Sequence, residues 1–547
     1  MNSVVLLDAA VVTRCRRRVH LEHDPGAADA PRAALDATTQ RRIADTAAHR
    51  RSVADRLAEH HGADWVEVPP ELPAEQRRAA TLALLVQGVP FVWGGLLPAD
   101  PSGGRRGGAE LLVRHRGGYL PVIVVRHKVT DPGSGARTSP LTQPVLAAAR
   151  TDPQRKVRPQ SRDQMRLAHT LRLLQAAGLA TGGRAVGGVI GLEADVVVWY
   201  DLDSPTWSGG HTAMVEYDAR FADRLAVARA AATGGQPLAQ PSRVTECRSC
   251  PWWPTCGPAL RASRDVSMVL RGVEDTRALR AAGVCTVDAL AALDPVGYPA
   301  APMVGMSFRD AVWLARAWQR DLALVRRHRR IVMRRADVEV DVDMESFDEA
   351  GAYLWGCLLS GSDIGMPGGY RAFATWEPVP TPDEARSFAA FWSWLTDVRS
   401  RAAERGLSLA AYCYNEQAEN RWMLSSVERF AGAPGIPTAA AVREFISSEA
   451  WVDLYGVVDA EFLCPRGKGL KTIAPAAAGF SWHDPEAGGE NSMRWYFDAV
   501  GLGGGEPDLA QRARLLTYNA DDVRATHALR LWMSSERVND VPYAGDL

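Results

Sequence analysis

Several things are scarce in this chain, and each scarcity removes a class of function. No apolar run approaches the roughly 20 residues that a membrane helix needs, so no spanning helix is expected. Net charge is −1, from 63 basic and 64 acidic residues, which excludes the global basic field of proteins that coat nucleic acid. The pattern GxxxxGK followed by Ser or Thr does not occur, so no ATP-driven motor is encoded and strand unwinding would fall to a separate helicase. In the opening "MNSVVLLDAAVVTRCRRR" the charges follow the apolar stretch, the reverse of a secretory signal, and the expected location is the cytoplasm. Cysteine is sparse, with eight in 547 residues. In a reducing compartment they are not expected to form disulfides.

What is present reads as α/β throughout. The length suggests two to four domains. "TTQRRIADTAAHRRSVADRLAEHH" (38–61) and "RDQMRLAHTLRLLQAAG" (162–178) have helical spacing. "AELLVRH" (109–115), "YLPVIVVRHKV" (119–129) and "AVGGVIGLEADVVVWYDL" (185–202) read as strands. "MVLRGVEDTRALRAAGVCTVDALAAL" (268–293) predicts helix, Gly-containing turn, helix, and such a turn would present backbone amides to a phosphate. A second α/β region opens with "ADVEVDVDMES" and ends in "ADDVRATHALRLWMSS". The expected divisions are 1–260, 261–330 and 331–547. Basic runs at 14–18, 103–108 and 326–330 could follow a phosphate backbone, although such runs are more often solvated faces.

The cysteines are unevenly placed. "TECRSCPWWPTCGP" (245–258) crowds Cys247, Cys250 and Cys256 together, whereas Cys285, Cys357, Cys413 and Cys464 sit singly in apolar contexts and are expected to be buried thiols. That leaves Cys15, near the N-terminus, as a fourth ligand that would tie the two ends of the first domain together. Zinc and an iron–sulfur cluster both suit four thiolates.

Carboxylate pairs are the other signal. Asp343 and Glu345 stand two apart on a strand and so share a face. Tyr518 and Asp522 stand four apart on a helix. Glu419 or Glu416, in "AYCYNEQAENRWML", supplies an acid between them. Acids gathered this way can hold Mg²⁺ or Mn²⁺ for attack on a phosphodiester. In the first half, Glu110 and Lys128 flank a hairpin in the order expected of a second metal-dependent site, with His49 on the preceding helix. Arg126 stands two before Lys128, where an acid would be needed, so Glu193 or Asp195 would have to help; otherwise the site binds without cutting.

These features, with the phrases "VVVWYDL", "CPWWPTC", "GLKTIAP" and "YNADDV", resemble the stand-alone RecB-like nucleases of bacteria. The resemblance implies an iron–sulfur PD-(D/E)xK nuclease domain and an RNase H-like exonuclease domain of the DEDD group, joined by a small helical connector. It implies a 4Fe–4S cluster on Cys15, Cys247, Cys250 and Cys256. Asp343, Glu345, Glu419 and Asp522 would hold two metal ions, with Tyr518 orienting water. Glu110 and Lys128 would serve the first domain, where the family's Gln and Tyr are replaced by Arg166 and Thr170. Asp453 would support the fold and Lys471 would lie near the phosphate. The implied activity is 3′-to-5′ degradation of single-stranded or frayed DNA in repair or recombination. A non-catalytic DNA-binding factor and an RNA-processing enzyme remain as alternatives.

Overall fold

The computed structural model describes residues 4–270, 272–297 and 303–547. The chain divides into two compact units, Met1–Ala262 and Ser263–Leu547, and both are mixed α/β.

In the first unit eight strands form one mixed sheet, in the spatial order Trp65–Glu67, Phe91–Trp93, Leu111–His115, Gly118–Val124, Val186–Ile190, Val196–Asp201, Arg137–Pro140 and Arg150–Thr151. Strand Gly118–Val124 serves two cores. Leu120, Val122 and Val124 pack with Val53, Ala54 and Leu57 of helix Ala37–His61, while Ile123 packs with Leu167 and Leu171 of helix Ser161–Ala176. Both faces are covered, which is why the sequence there is a continuous apolar run and not an alternating one. The expected extension of this strand to Val129 does not form. Its parallel neighbour ends level with it, Val124 opposite Ile190, and without a ladder partner the polar residues Arg126, His127 and Lys128 follow in a partly exposed loop.

The second unit is built on five strands in the order Gly369–Ala374, Gly351–Gly361, Val338–Phe347, Leu409–Cys413 and Trp451–Asp453. The first three are antiparallel, and the last two run parallel to the central strand. Strict alternation in "VEVDVDMESF" splits the central strand. Val338, Val340, Val342 and Met344 enter a core with Phe388, Phe391 and Leu395 of helix Asp383–Glu404. The other face carries Glu339, Asp341, Asp343 and Glu345, and helix Leu509–Met533 lies against it. A strip of acids can be buried only if it is compensated. Arg530 reaches Asp341 at 2.7 Å, His527 reaches Asp341 at 2.9 Å, and Asn519 reaches Asp343 at 2.8 Å. Polar pairing thus fixes the register of helix on strand.

Helices Val273–Ala281, Val287–Ala291 and Phe308–Gln319 share an apolar cluster with Val325, Leu463 and Ala544. The turn at Gly283 (φ 84°) uses its own amides: Gly283 N–H donates to the Arg280 carbonyl and Val284 N–H to that of Leu279. They close the helix and do not present the phosphate cradle expected from the sequence. Arg271, within the same expected stretch, lies outside the described residues. Cys357, Cys413 and Cys464 are buried, but Cys285 is exposed, in the short loop between two helices. Among the described residues no helix is long and apolar enough to cross a membrane.

Candidate metal centre

Asp343 and Glu345 from the central strand meet Asp522 from helix Leu509–Met533, one oxygen of each lying within 4.8 Å of the others. Each acid is held by a donor from elsewhere in the unit. Asn519 Nδ2 donates to Asp343 Oδ2 (2.8 Å), Ser492 Oγ to Glu345 Oε2 (3.2 Å), and Trp482 Nε1 to Asp522 Oδ1 (2.5 Å). Lys471 Nζ donates to both oxygens of Asp522, each at 3.1 Å, and lies 3.0 Å from the Tyr518 hydroxyl. Gly356 is opposite Asp343 in the ladder. A Cβ there would sit 1.7 Å from Asn519 Oδ1, so the absent side chain is what lets Asn519 reach the acid.

Glu419, on helix Gln417–Arg429, is 3% exposed, and its Oε2 has no hydrogen-bond partner. Desolvation pushes its carboxyl well up, and the charge of Asp343 adds to this; Glu419 is not among the three acids that lie within 4.8 Å of one another. Glu416 is the N-cap of the same helix. Asp453 serves the fold, because its Oδ1 accepts the amides of Asn415 (2.8 Å) and Tyr455 (2.9 Å) and so fixes the left-handed turn at Asn415 (φ 74°). Desolvation, then the charges of Asp522 and Glu345, holds Asp343 well above the usual carboxylate range; desolvation and Asp522 bring Glu345 up to about 8. Like charges crowded this way want a cation. Three clustered carboxylates against one ammonium fit hard divalent ions such as Mg²⁺ or Mn²⁺. Tyr518 is 3% exposed, and burial and the surrounding acids raise its hydroxyl far above the ordinary range, so it stays protonated.

The expected first-unit site has a different character. Glu110 precedes strand Leu111–His115, and its Oε1 accepts from Arg166 at 2.6 Å and pairs with Arg50 at 3.0 Å. Arg126 lies 3.4 Å from Asp45, and His49 Nε2 is 3.1 Å from the Gly191 carbonyl. Thr170 donates to the Arg166 carbonyl, and Lys128 lies in the loop past the strand. Asp195 pairs with Arg155 at 2.5 Å, and Glu193 is exposed in the same turn. Two guanidiniums share Oε1 of Glu110, while its buried Oε2 has no hydrogen-bond partner; among the described residues Glu110 belongs to no group of three or more clustered ligands. Much of the basic runs is also committed, with Arg14 and Arg18 on Glu22, Arg105 on Asp100 and Arg329 on Asp546.

Cys15, Cys247, Cys250 and Cys256 line a single cavity together with Arg17, Arg18, Trp252 and Trp253. Trp252 is 2% exposed, and Cys250 and Cys256 pack against its cluster. Burial pushes the thiols of Cys247 and Cys250 up, and that of Cys256 to about 11. Unliganded, they are neutral; a thiophilic metal would have to displace their protons. The Cys15 amide donates to Glu246 Oε2 at 2.5 Å, and Arg18 pairs with Glu246 at 2.8 Å, so the two ends of the unit are already joined beside the cavity. This donor set fits a four-thiolate group, whether a 4Fe–4S cluster or zinc.

Sequence reasoning missed Asn519, Ser492, Trp482 and the pair His483–Asp521 (2.8 Å). The signal for Asn519 was its place between Tyr518 and the acids Asp521 and Asp522, a polar run on a buried helix.

No curated protein and no solved structure matches the chain. Residues 404–534, which carry Glu419, Lys471, Tyr518 and Asp522, match a family model described as the RNase_H superfamily. Residues 404–534 are RNase H-like, while Asp343 and Glu345 lie outside the match; nuclease-type chemistry is the activity that this assignment supports.

Proposed function

We propose that the chain is a metal-dependent exonuclease that shortens single-stranded or frayed DNA from its 3′ end, in repair or recombination. The convergence of Asp343, Glu345 and Asp522, with Tyr518 beside them, carries the reading. Asp343, Glu345, Glu419 and Asp522 would hold Mg²⁺ or Mn²⁺, which supplies Lewis acidity and a more acidic water. Tyr518, kept protonated, both donates and accepts, and so orients a water without taking its proton. Asn519, Ser492 and Trp482 hold the acids in place. In the first unit, Lys128 in its partly exposed loop suits contact with a phosphate backbone, and we assign that unit to binding and not to cleavage. With Mn²⁺, a 5′ label on single-stranded DNA should yield a descending ladder, and a 3′ label should be released at once as mononucleotide. The opposite assignment, or cleavage of matched RNA alone, contradicts the reading.

The four cysteines would hold a 4Fe–4S cluster that fastens the N-terminal segment to the end of the first unit. Cys250→Ser should lose iron and acid-labile sulfide, and should speed amide exchange around Arg16–His23 and Trp253–Ala262, because ligation and folding are coupled. Zinc without iron in the wild type would replace the cluster by its rival; unchanged exchange would overturn the clamp.

A further inference from the structure

We propose that Lys471 is a protein-borne cation of the acidic site: it holds Asp522 while no metal ion is bound, yields that carboxylate to a divalent ion, and then binds a non-bridging phosphate oxygen of the strand. This rests on the nuclease reading and adds to it an internal competitor for the metal.

Lys471 stands in the first turn of helix Leu470–Ala478. Its ammonium contacts both oxygens of Asp522 and the Tyr518 hydroxyl, so all three of its donors have partners within 3.1 Å. A carboxylate oxygen offers two lone pairs. Oδ1 of Asp522 accepts from Lys471 and from Trp482 Nε1, which fills it; Oδ2 accepts from Lys471, and the Tyr518 hydroxyl also bonds this carboxylate. An ion that takes Asp522 fully must displace a donor. Of these donors, Lys471 is the one that bears a like charge, and an ammonium within about 4 Å of a dication is strongly repelled.

The ammonium has aromatic partners as well. It lies over the rings of Tyr518 (4.7 Å) and Trp482 (5.3 Å). Its side chain is 35% exposed, so its open side is toward solvent, where a strand would enter. Four flexible methylenes let the charge move while the helix stays still. The phosphate brought to the metal is then the nearest anion that is not already taken.

The test reads Mn²⁺ binding to the full-length protein by calorimetry, without nucleic acid, in wild type, Lys471→Met, Lys471→Gln and Asp343→Asn. It then reads thymidine 5′-monophosphate binding at saturating Mn²⁺. Removing the competitor should tighten Mn²⁺ about tenfold in both lysine variants and weaken the nucleotide about tenfold; Asp343→Asn should weaken Mn²⁺. A purely structural lysine would weaken both ligands when replaced. Unchanged or weaker Mn²⁺ binding in both lysine variants, or unchanged nucleotide binding, overturns the proposal. Opposite shifts of the expected signs in a protein that cleaves no strand would sink the nuclease reading and leave the role of Lys471 standing.

Discussion

Arg530→Ala should destabilise the second unit by about 3–5 kcal/mol, because it strands buried acids whose main counter-ion is gone. The Arg530 side chain is 0% exposed. Its Nε lies 3.0 Å from Asp341 Oδ1 and its Nη2 lies 2.7 Å from Asp341 Oδ2, while Nη1 reaches Glu339. His527 and Arg335 would remain, each on one acid. Burial opposes ionisation of Glu339, but the hydrogen bond from Arg335 and the charge of Arg530 overcome it and bring its carboxyl down to about 2. A depressed acid stabilises the fold above its unfolded pKa of about 4.5 and loses that contribution as pH falls from there toward 2. The gap between wild type and variant should therefore be large at pH 7 and shrink near pH 3. Amide exchange along Leu509–Met533 measures it locally. A gap below about 1 kcal/mol, or one independent of pH, contradicts the account.

Asp343→Asn should act in the opposite sense on activity and stability. Partners outside a ligand set are worth 10–100-fold in metal affinity or activity, so loss of a ligand should cost more than about 100-fold. The amide keeps an oxygen for Asn519 Nδ2, so the local packing survives. In the metal-free protein Asp343 is desolvated beside Asp522 and Glu345; neutralising it relieves repulsion, and the thermal midpoint without metal should hold or rise. Added Mn²⁺ should stabilise the wild type and have little effect on the variant. A variant that is both inactive and unfolded would make Asp343 a structural residue.

Spacing alone placed Asp343 with Glu345, and Tyr518 with Asp522, because strand and helix periods determine which side chains share a face. It could not choose between Glu416 and Glu419. Burial distinguishes them, since Glu419 is buried and Glu416 is not, and burial depends on packing distant in sequence. The same limit hid Asn519, Ser492 and Trp482, each of which reaches its acid across 40 to 176 residues of chain. The acids Glu339 and Asp341 were visible in "VEVDVD", yet their counter-ion Arg530 lies 191 and 189 residues on. The apolar run 119–125 could not reveal where its strand ends, since that depends on the length of Val186–Ile190. The three clustered cysteines were legible from spacing, and the fold brings Cys15 to the same cavity. The guanidiniums of Arg50 and Arg166 on Glu110 could not be foreseen, since both partners are distant from it in sequence.

The central claim is that the acidic cluster of the second unit cuts nucleic acid. The most direct test is a time course on 5′-labelled single-stranded DNA with Mn²⁺, comparing wild type, Asp343→Asn and Lys128→Ala. The account predicts a shortening ladder from wild type and Lys128→Ala and none from Asp343→Asn. Cleavage that survives Asp343→Asn and is lost in Lys128→Ala would contradict it and move the chemistry to the first unit.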